Sequence, residues 1–114
     1  MRQEVVQKII KTLEQENYLD EERFARVFAG GKFRIKRWGR NKIMAELRAR
    51  RIPELIVQIG LDEIDEHEYI KTLRQLIEKK SSTFDDPEEK EIKNKIYKFA
   101  LSRGFERHLI LKYL

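Results

Sequence analysis

The sequence predicts an all-α fold of tandem three-helix repeats forming an elongated, curved helical array. Three observations carry that expectation. The 114 residues include only five Gly and two Pro, and the chain is otherwise rich in Leu, Ile, Lys, Glu and Arg, a helix-forming composition. Apolar residues recur at three- and four-residue spacing along most of the chain. A hydrophobic residue followed by Asp opens two of these stretches, at Leu19-Asp20 and again at Ile64-Asp65. With 40% hydrophobic residues the chain can fill a core, which excludes wholesale disorder.

The elements follow in order. Val5, Val6, Ile9, Ile10 and Leu13 mark an amphipathic helix over about residues 3–15, and Asn17-Tyr18 is expected to interrupt it. Asp20 reads as an N-cap, with Leu19 placed to staple onto Phe24. Phe24, Phe28, Gly31, Ile35 and Trp38 then form one stripe, so a second helix is expected from about 21 to 38 and closed by Gly39. Gly30 and Gly31 leave that helix continuous or slightly bent. Ile43, Met44 and Leu47 predict a helix over 40–50, and Pro53 opens another that runs to about Asp62. Asp65 with Glu68 forms a capping box for a helix reaching Lys79. Ser81 to Asp85 is a loop. Asp86-Pro87-Glu88-Glu89 reads as the next helix start, Gly104 as its C′ residue, and Phe105, Leu109, Ile110 and Leu114 as a last short helix.

Two registers relate these stretches. At a separation of 45, Leu19, Asp20, Glu21, Phe24 and Phe28 meet Ile64, Asp65, Glu66, Tyr69 and Leu73; at 53, Ile43, Arg50, Ile52 and Val57 meet Ile96, Arg103, Phe105 and Ile110. Glu4, Val5, Val6 and Ile9 match Glu54, Leu55, Ile56 and Ile59. The expected organisation is therefore the last helix of an incomplete first repeat over 1–16, a second repeat over 17–63 and a third over 64–114.

Charge narrows the function. Lys and Arg total 25 against 20 Asp and Glu, for a net +5, but the charge is polarised. Residues 32–51 hold nine basic residues and one acid, Glu46, so that window carries +8 and the remainder −3. Lys32, Arg34, Lys36, Arg37, Arg40 and Lys42 are the leading candidates for contacts with phosphate or an acidic protein surface. Arg48, Arg50 and Arg51 divide between that role and compensation of a helix C-terminus. Trp38 continues an apolar stripe and is expected in the core, whereas Phe33 lies off it and is open between core packing and base stacking.

Several classes are excluded. Without Cys there is no disulfide, thiolate zinc site or cysteine nucleophile. His67 and His108 have no partner at ligand spacing, so no metal is expected. Ala29-Gly30-Gly31-Lys32 lacks the spacing of a phosphate-binding loop, and no nucleophile–base set is visible. No enzyme and no cofactor are expected. The longest uncharged run, Leu55–Leu61, is seven residues against the roughly 20 of a membrane span. The first fourteen residues are too charged for a signal peptide. A cytoplasmic monomer that does not engage a membrane is the expectation.

Tyr18-Leu19-Asp20-Glu21-x-Arg23-Phe24-Ala25, Trp38-Gly39-x-x-Lys42-Ile43-x-x-Glu46-Leu47-x-x-Arg50-Arg51-Ile52 and Arg103-Gly104-Phe105 together resemble the RecX family of recombination regulators over nearly the whole chain. Departures are the missing first two helices of the first repeat, and Gly30-Gly31 in place of larger residues. The resemblance implies a regulator of recombination, DNA repair and the SOS response. Such a protein would bind RecA nucleoprotein filaments, limit their growth, ATPase and strand exchange, and in some members bind single- or double-stranded DNA. A sequence-independent DNA-binding helical module is the alternative, and a protein-binding adaptor a third reading.

Overall fold

A computed structural model describes residues 2–114. Among them it shows six helices and no strand: α1 (Arg2–Lys36), α2 (Arg40–Ala49), α3 (Glu54–Leu61), α4 (Glu66–Ser81), α5 (Lys90–Ser102) and α6 (Arg107–Tyr113). α1 packs against α2 and α3, and α4, α5 and α6 pack together as a second trio. The molecule measures 76 × 20 × 19 Å, an elongated body as the repeat pattern implied.

The expected interruption at Asn17-Tyr18 does not occur. α1 is one 35-residue helix, and Asp20 lies inside it instead of capping a new one. No Pro or Gly stands between Arg2 and Ala29 to stop propagation, and Asn or Asp inside a helix costs only tenths of a kcal/mol, ~0.7 at most. The polar side chains also find partners along the helix surface. Asn17 Nδ2 donates to Glu21 Oε1 at 2.9 Å, and Asp20 pairs with Arg23 at 3.9 Å. Val5, Val6, Ile9, Ile10 and Leu13 form an exposed apolar stripe on this arm.

The inward face of α1 is also not the aromatic stripe expected from the sequence. Ala25, Ala29 and Phe33 are buried, whereas Phe24 is 42% and Ile35 79% exposed. The reason lies on α3: a Cβ built on Gly60 would sit 2.9 Å from the Cβ and carbonyl oxygen of Ala25. Two small residues meet there, and the helix backbones approach closer than a phenylalanine allows. Phe24 and Phe28 pair at the edge instead, with ring centroids 5.6 Å apart and the Arg50 guanidinium 4.7 Å from the Phe28 ring. The buried residues Ala25, Ala29 and Phe33 correspond to Tyr69, Leu73 and Ile77 of α4, a separation of 44 residues instead of 45.

α1 ends before Gly39. Arg37 takes a left-handed conformation (φ 57°), and the Trp38 N–H reaches back to the Lys32 carbonyl at 3.2 Å, closing the last turn. Gly39, at φ −75°, instead precedes α2 as its N-cap. The ends of α2 and α5 repeat bond for bond. Arg51 N–H to Arg48 O and Ile52 N–H to Leu47 O are matched by Gly104 N–H to Leu101 O and Phe105 N–H to Ala100 O. Arg51 and Gly104 both have positive φ, 60° and 96°, so the expected C′ role of Gly104 holds.

Asp65 caps α4 as expected, accepting the Glu68 N–H at 2.9 Å, with Ile64 buried just before it. α5 starts three residues after Pro87, at Lys90. The Asp86 carboxylate bonds the Glu88 N–H at 3.2 Å and its carbonyl the Glu89 N–H at 3.2 Å. Asp86–Glu89 is thus a turn, a local alternative that short acidic side chains offer the backbone.

Gly60→Ala is expected to destabilise the protein by about 1–3 kcal/mol, because the added methyl collides with the Ala25 backbone. Gly31→Ala, where a Cβ meets nothing within 4 Å, is expected to stabilise α1 by about 0.5–1 kcal/mol. Denaturant unfolding of the two variants checks the contrast.

Candidate functional site: a basic surface around the inter-repeat joint

The two helical trios meet through backbone. Gly39 N–H donates to Arg103 O at 2.8 Å, and Asn41 N–H to Gly104 O at 2.9 Å. A Cβ on Gly39 would lie 2.2 Å from the Gly104 carbonyl carbon, and one on Gly104 2.4 Å from the Lys42 Cβ. Glycine at both places is therefore required by close approach. Beneath the clasp, the rings of Phe33, Tyr69 and Phe105 stack in series at 5.6 and 5.2 Å. Phe33, open from sequence, is core.

Arg40 follows the clasp by one residue, and its guanidinium lies 3.8 Å from the Tyr69 ring centroid. It bonds Glu106 at 2.8 Å and also pairs with Glu66. The Tyr69 hydroxyl accepts the Arg40 backbone N–H at 2.9 Å and donates to Glu106. Burial works against the Arg40 charge, but Glu106 and then Glu66 outweigh it and hold the guanidinium more basic than usual. Burial, followed by the Glu106 carboxylate, pushes the Tyr69 phenol far above its ordinary range.

The nine basic residues of the 32–51 window thus separate by what they touch. Arg40 is held in the joint. Arg48 binds Glu54 through two hydrogen bonds of 2.9 and 2.6 Å. That pairing raises the Arg48 pKa and, with Gln58, lowers that of Glu54. Arg50 pairs with Glu46 at 3.3 Å. Lys32 and Lys42 flank the half-buried Trp38, their ammonium groups 4.9 and 4.6 Å from its ring. Trp38 packs against the core as expected while carrying these two cations. Arg34, Lys36, Arg37 and Arg51 are exposed and, among the described residues, pair with no acid.

The fold adds cations that the sequence window did not contain. Lys36 and Arg37 line one cleft with Lys79, Lys80 and Arg103. These three fall outside the +8 window because they belong to the second trio. The signal that could have found them is positional: Lys79 and Lys80 end α4, Arg103 follows α5, and Lys36 and Arg37 close α1. His67 and His108 are exposed, and no three His, Cys, Asp or Glu side chains converge as metal ligands among the described residues. No described helix is long and apolar enough to cross a membrane.

Comparison with known families fits this pair of trios. Residues 20–61 match the second three-helix domain of RecX, and residues 67–114 the third. The chain belongs to the RecX family. A RecX regulatory protein of Lactobacillus johnsonii is 32% identical over 106 residues, which cover 93% of this chain and 39% of that protein. RecX of Chlorobium limicola is 31% identical over 92% of this chain and 64% of its own length. RecX of Clostridium tetani is 30% identical over 88% of this chain and 46% of its own length. The chain thus spans between about two fifths and two thirds of these RecX relatives, all of which are named regulatory proteins. No solved structure shows significant similarity to it.

Because Arg40 satisfies Glu106 and covers Tyr69, Arg40→Ala is expected to cost about 1–3 kcal/mol, whereas exposed Arg34→Ala stays within about 0.5 kcal/mol. Urea unfolding distinguishes them. The raised Tyr69 pKa carries a sign: its stabilisation is complete below the ordinary phenol value of 10.0 and is lost as pH climbs past it. Alkaline titration followed by phenolate absorbance is expected to leave one tyrosine neutral until the fold unfolds.

Proposed function

We propose that this chain binds RecA nucleoprotein filaments and limits their extension, ATPase and strand exchange by occupancy, without chemistry of its own. The observation that carries this reading is the match of both helical trios to successive RecX domains. Residues 1–16 act as the last helix of a further repeat, with 17–63 and 64–114 as the second and third. The exposed apolar stripe of the arm and its likeness to α3 support that division. A rigid rod of helices with cations along it suits an elongated polyanionic or acidic groove. Lys32, Arg34, Lys36, Arg37, Lys42 and Arg51 are the proposed contacts from the basic window. Arg40, Arg48 and Arg50 already hold carboxylates and act in support of the shape. The protein works as a monomer in the cytoplasm.

RecA's DNA-dependent ATPase, measured with and without this protein on DNA long enough to report filament growth, tests the reading. The expected result is a dose-dependent fall in rate that Arg34→Ala with Arg37→Ala weakens several-fold while circular dichroism stays unchanged. An unaltered ATPase and unaltered filament length at excess protein would overturn it.

A further inference from the structure

We propose that the projecting half of α1 pairs with the same segment of a second copy of this chain, as an antiparallel two-helix contact. Every residue from Arg2 to Asp20 is exposed, so about five turns of helix have no cover from the rest of the fold. Val6, Ile9, Ile10 and Leu13 are 41–59% exposed on this arm. Within the first trio the corresponding helix is covered: α3 lies against both α1 and α2. A helix in water gains most of its stability from packing one apolar face, and among the described residues nothing packs on this one. By the ~100° turn per residue of an α-helix, Ile9 and Leu13 point away from Ala25 and Ala29, so a second chain can lie on them without meeting α3.

The pattern of the seam selects the occupant. Arg2, Val6, Ile9, Leu13, Glu16 and Asp20 follow one another at alternating spacings of four and three, the repeat that keeps a seam facing a partner helix. This seam is apolar in its middle, cationic at Arg2 and anionic at Glu16 and Asp20. It is therefore complementary to itself, but only when reversed. A register that sets Ile9 on Leu13 of the second copy also sets Arg2 on its Asp20, with its Glu16 one turn away. Two-fold symmetry repeats both contacts, giving two apolar layers between two ion pairs. Parallel arms would instead oppose Arg2 to Arg2 and Asp20 to Asp20, which like charges penalise. Asp20 is available for the contact, since its tie to Arg23 is 3.9 Å long and solvent-exposed, a weak one.

The reversed arrangement also keeps the bulky parts apart. Glu21 is the first residue after Arg2 that the fold partly covers, so each arm tip ends where the body of the second copy begins. The two bodies then sit at opposite ends of the pair. One short helix from each chain makes a weak, dissociable contact. The inference goes beyond the function proposed above: the monomer is the form that acts, and the pair is its form at rest at high concentration. It does not depend on the filament reading, because no recombinase enters its test.

Sedimentation equilibrium of the full chain between about 1 and 300 μM, the range of a weak contact, tests the proposal. The average mass is expected to climb from the 13.8 kDa of one chain towards twice that value. Ile9→Ser with Leu13→Ser is expected to weaken association at least about tenfold. Leu55→Ser with Leu111→Ser removes similarly exposed apolar side chains elsewhere and is expected to stay within about twofold. Asp20→Arg is expected to weaken the pair about threefold, and adding Arg2→Asp to restore it. The chain contains no Cys, so introduced thiols report the direction of the arms. Under mild oxidation, a mixture of Ile9→Cys and Leu13→Cys chains is expected to form the mixed disulfide faster than either variant links to itself. That measurement holds even if circular dichroism shows the serine variants to have lost the arm helix. A mass of one chain throughout, which would leave the arm to a helix of another protein, overturns the pair. Equal losses in the two serine variants overturn it as well. Self-linked disulfides that outrun the mixed one, or no recovery in the charge-swapped variant, overturn the antiparallel arrangement.

Discussion

The contact between the backbones of Gly39 and Gly104 is the constraint on which the rest of the molecule depends. Each trio can bury its own apolar faces, but neither dictates where the other sits. The short link between α3 and α4, Asp62 to Asp65, would leave that angle loose. Two backbone hydrogen bonds of 2.8 and 2.9 Å fix it, and they form only because neither glycine carries a Cβ. Phe33, Tyr69 and Phe105 then fall into one stack, and Arg40 is delivered onto Tyr69 with Glu106 and Glu66 to receive it. A buried tyrosine hydroxyl and a partly buried guanidinium would each be costly alone; as a closed set, each satisfies the others.

That same closure sorts the positive charge. In the sequence, the window from Lys32 to Arg51 is uniform: nine cations, one acid. In the fold it is two populations. Arg40, Arg48 and Arg50 face carboxylates supplied by Glu66, Glu106, Glu54 and Glu46, three of them outside the window. Lys36 and Arg37 have no such partners and are joined by cations from the other trio. A paired charge contributes little field beyond a few ångströms, so attraction for a polyanion comes from the second population. The local density of Lys and Arg is therefore a poor guide to where unpaired positive charge gathers, and the convergence of helix ends is a better one.

How much of this was legible in the chain follows from what each signal reports. Helix existence, the Asp65 cap, the Gly104 turn and the repeat of α2–α3 in α5–α6 were readable because each rests on local chemistry or on apolar side chains of conventional size. Three features were not. Asn17, Tyr18 and Asp20 resemble a helix boundary, but nothing there forbids a helix, and the absence of Pro or Gly decided the matter. The inward face of α1 was hidden because hydrophobic patterning weighs Phe24 and Phe28 above Ala25 and Ala29, whereas close helix packing against Gly60 selects the smallest residues. Gly39 looked like a helix stop and proved to be a contact surface. Its role depends on Gly104, 65 residues away, and no local pattern could show that.

The shape then bears on how such a chain can act. A body of 76 × 20 × 19 Å offers little concavity for enclosing a small molecule and a great deal of length for lying along something. Binding of that kind draws on many weak contacts, so it depends steeply on salt and hardly on any one side chain. It also makes rigidity valuable, because a joint that swings loses orientational entropy with every contact made on its far side. The Gly39–Gly104 clasp and the Arg40–Tyr69–Glu106 set remove that freedom before any partner arrives. Their substitution would therefore loosen the angle between the two trios even though each trio keeps its own buried core.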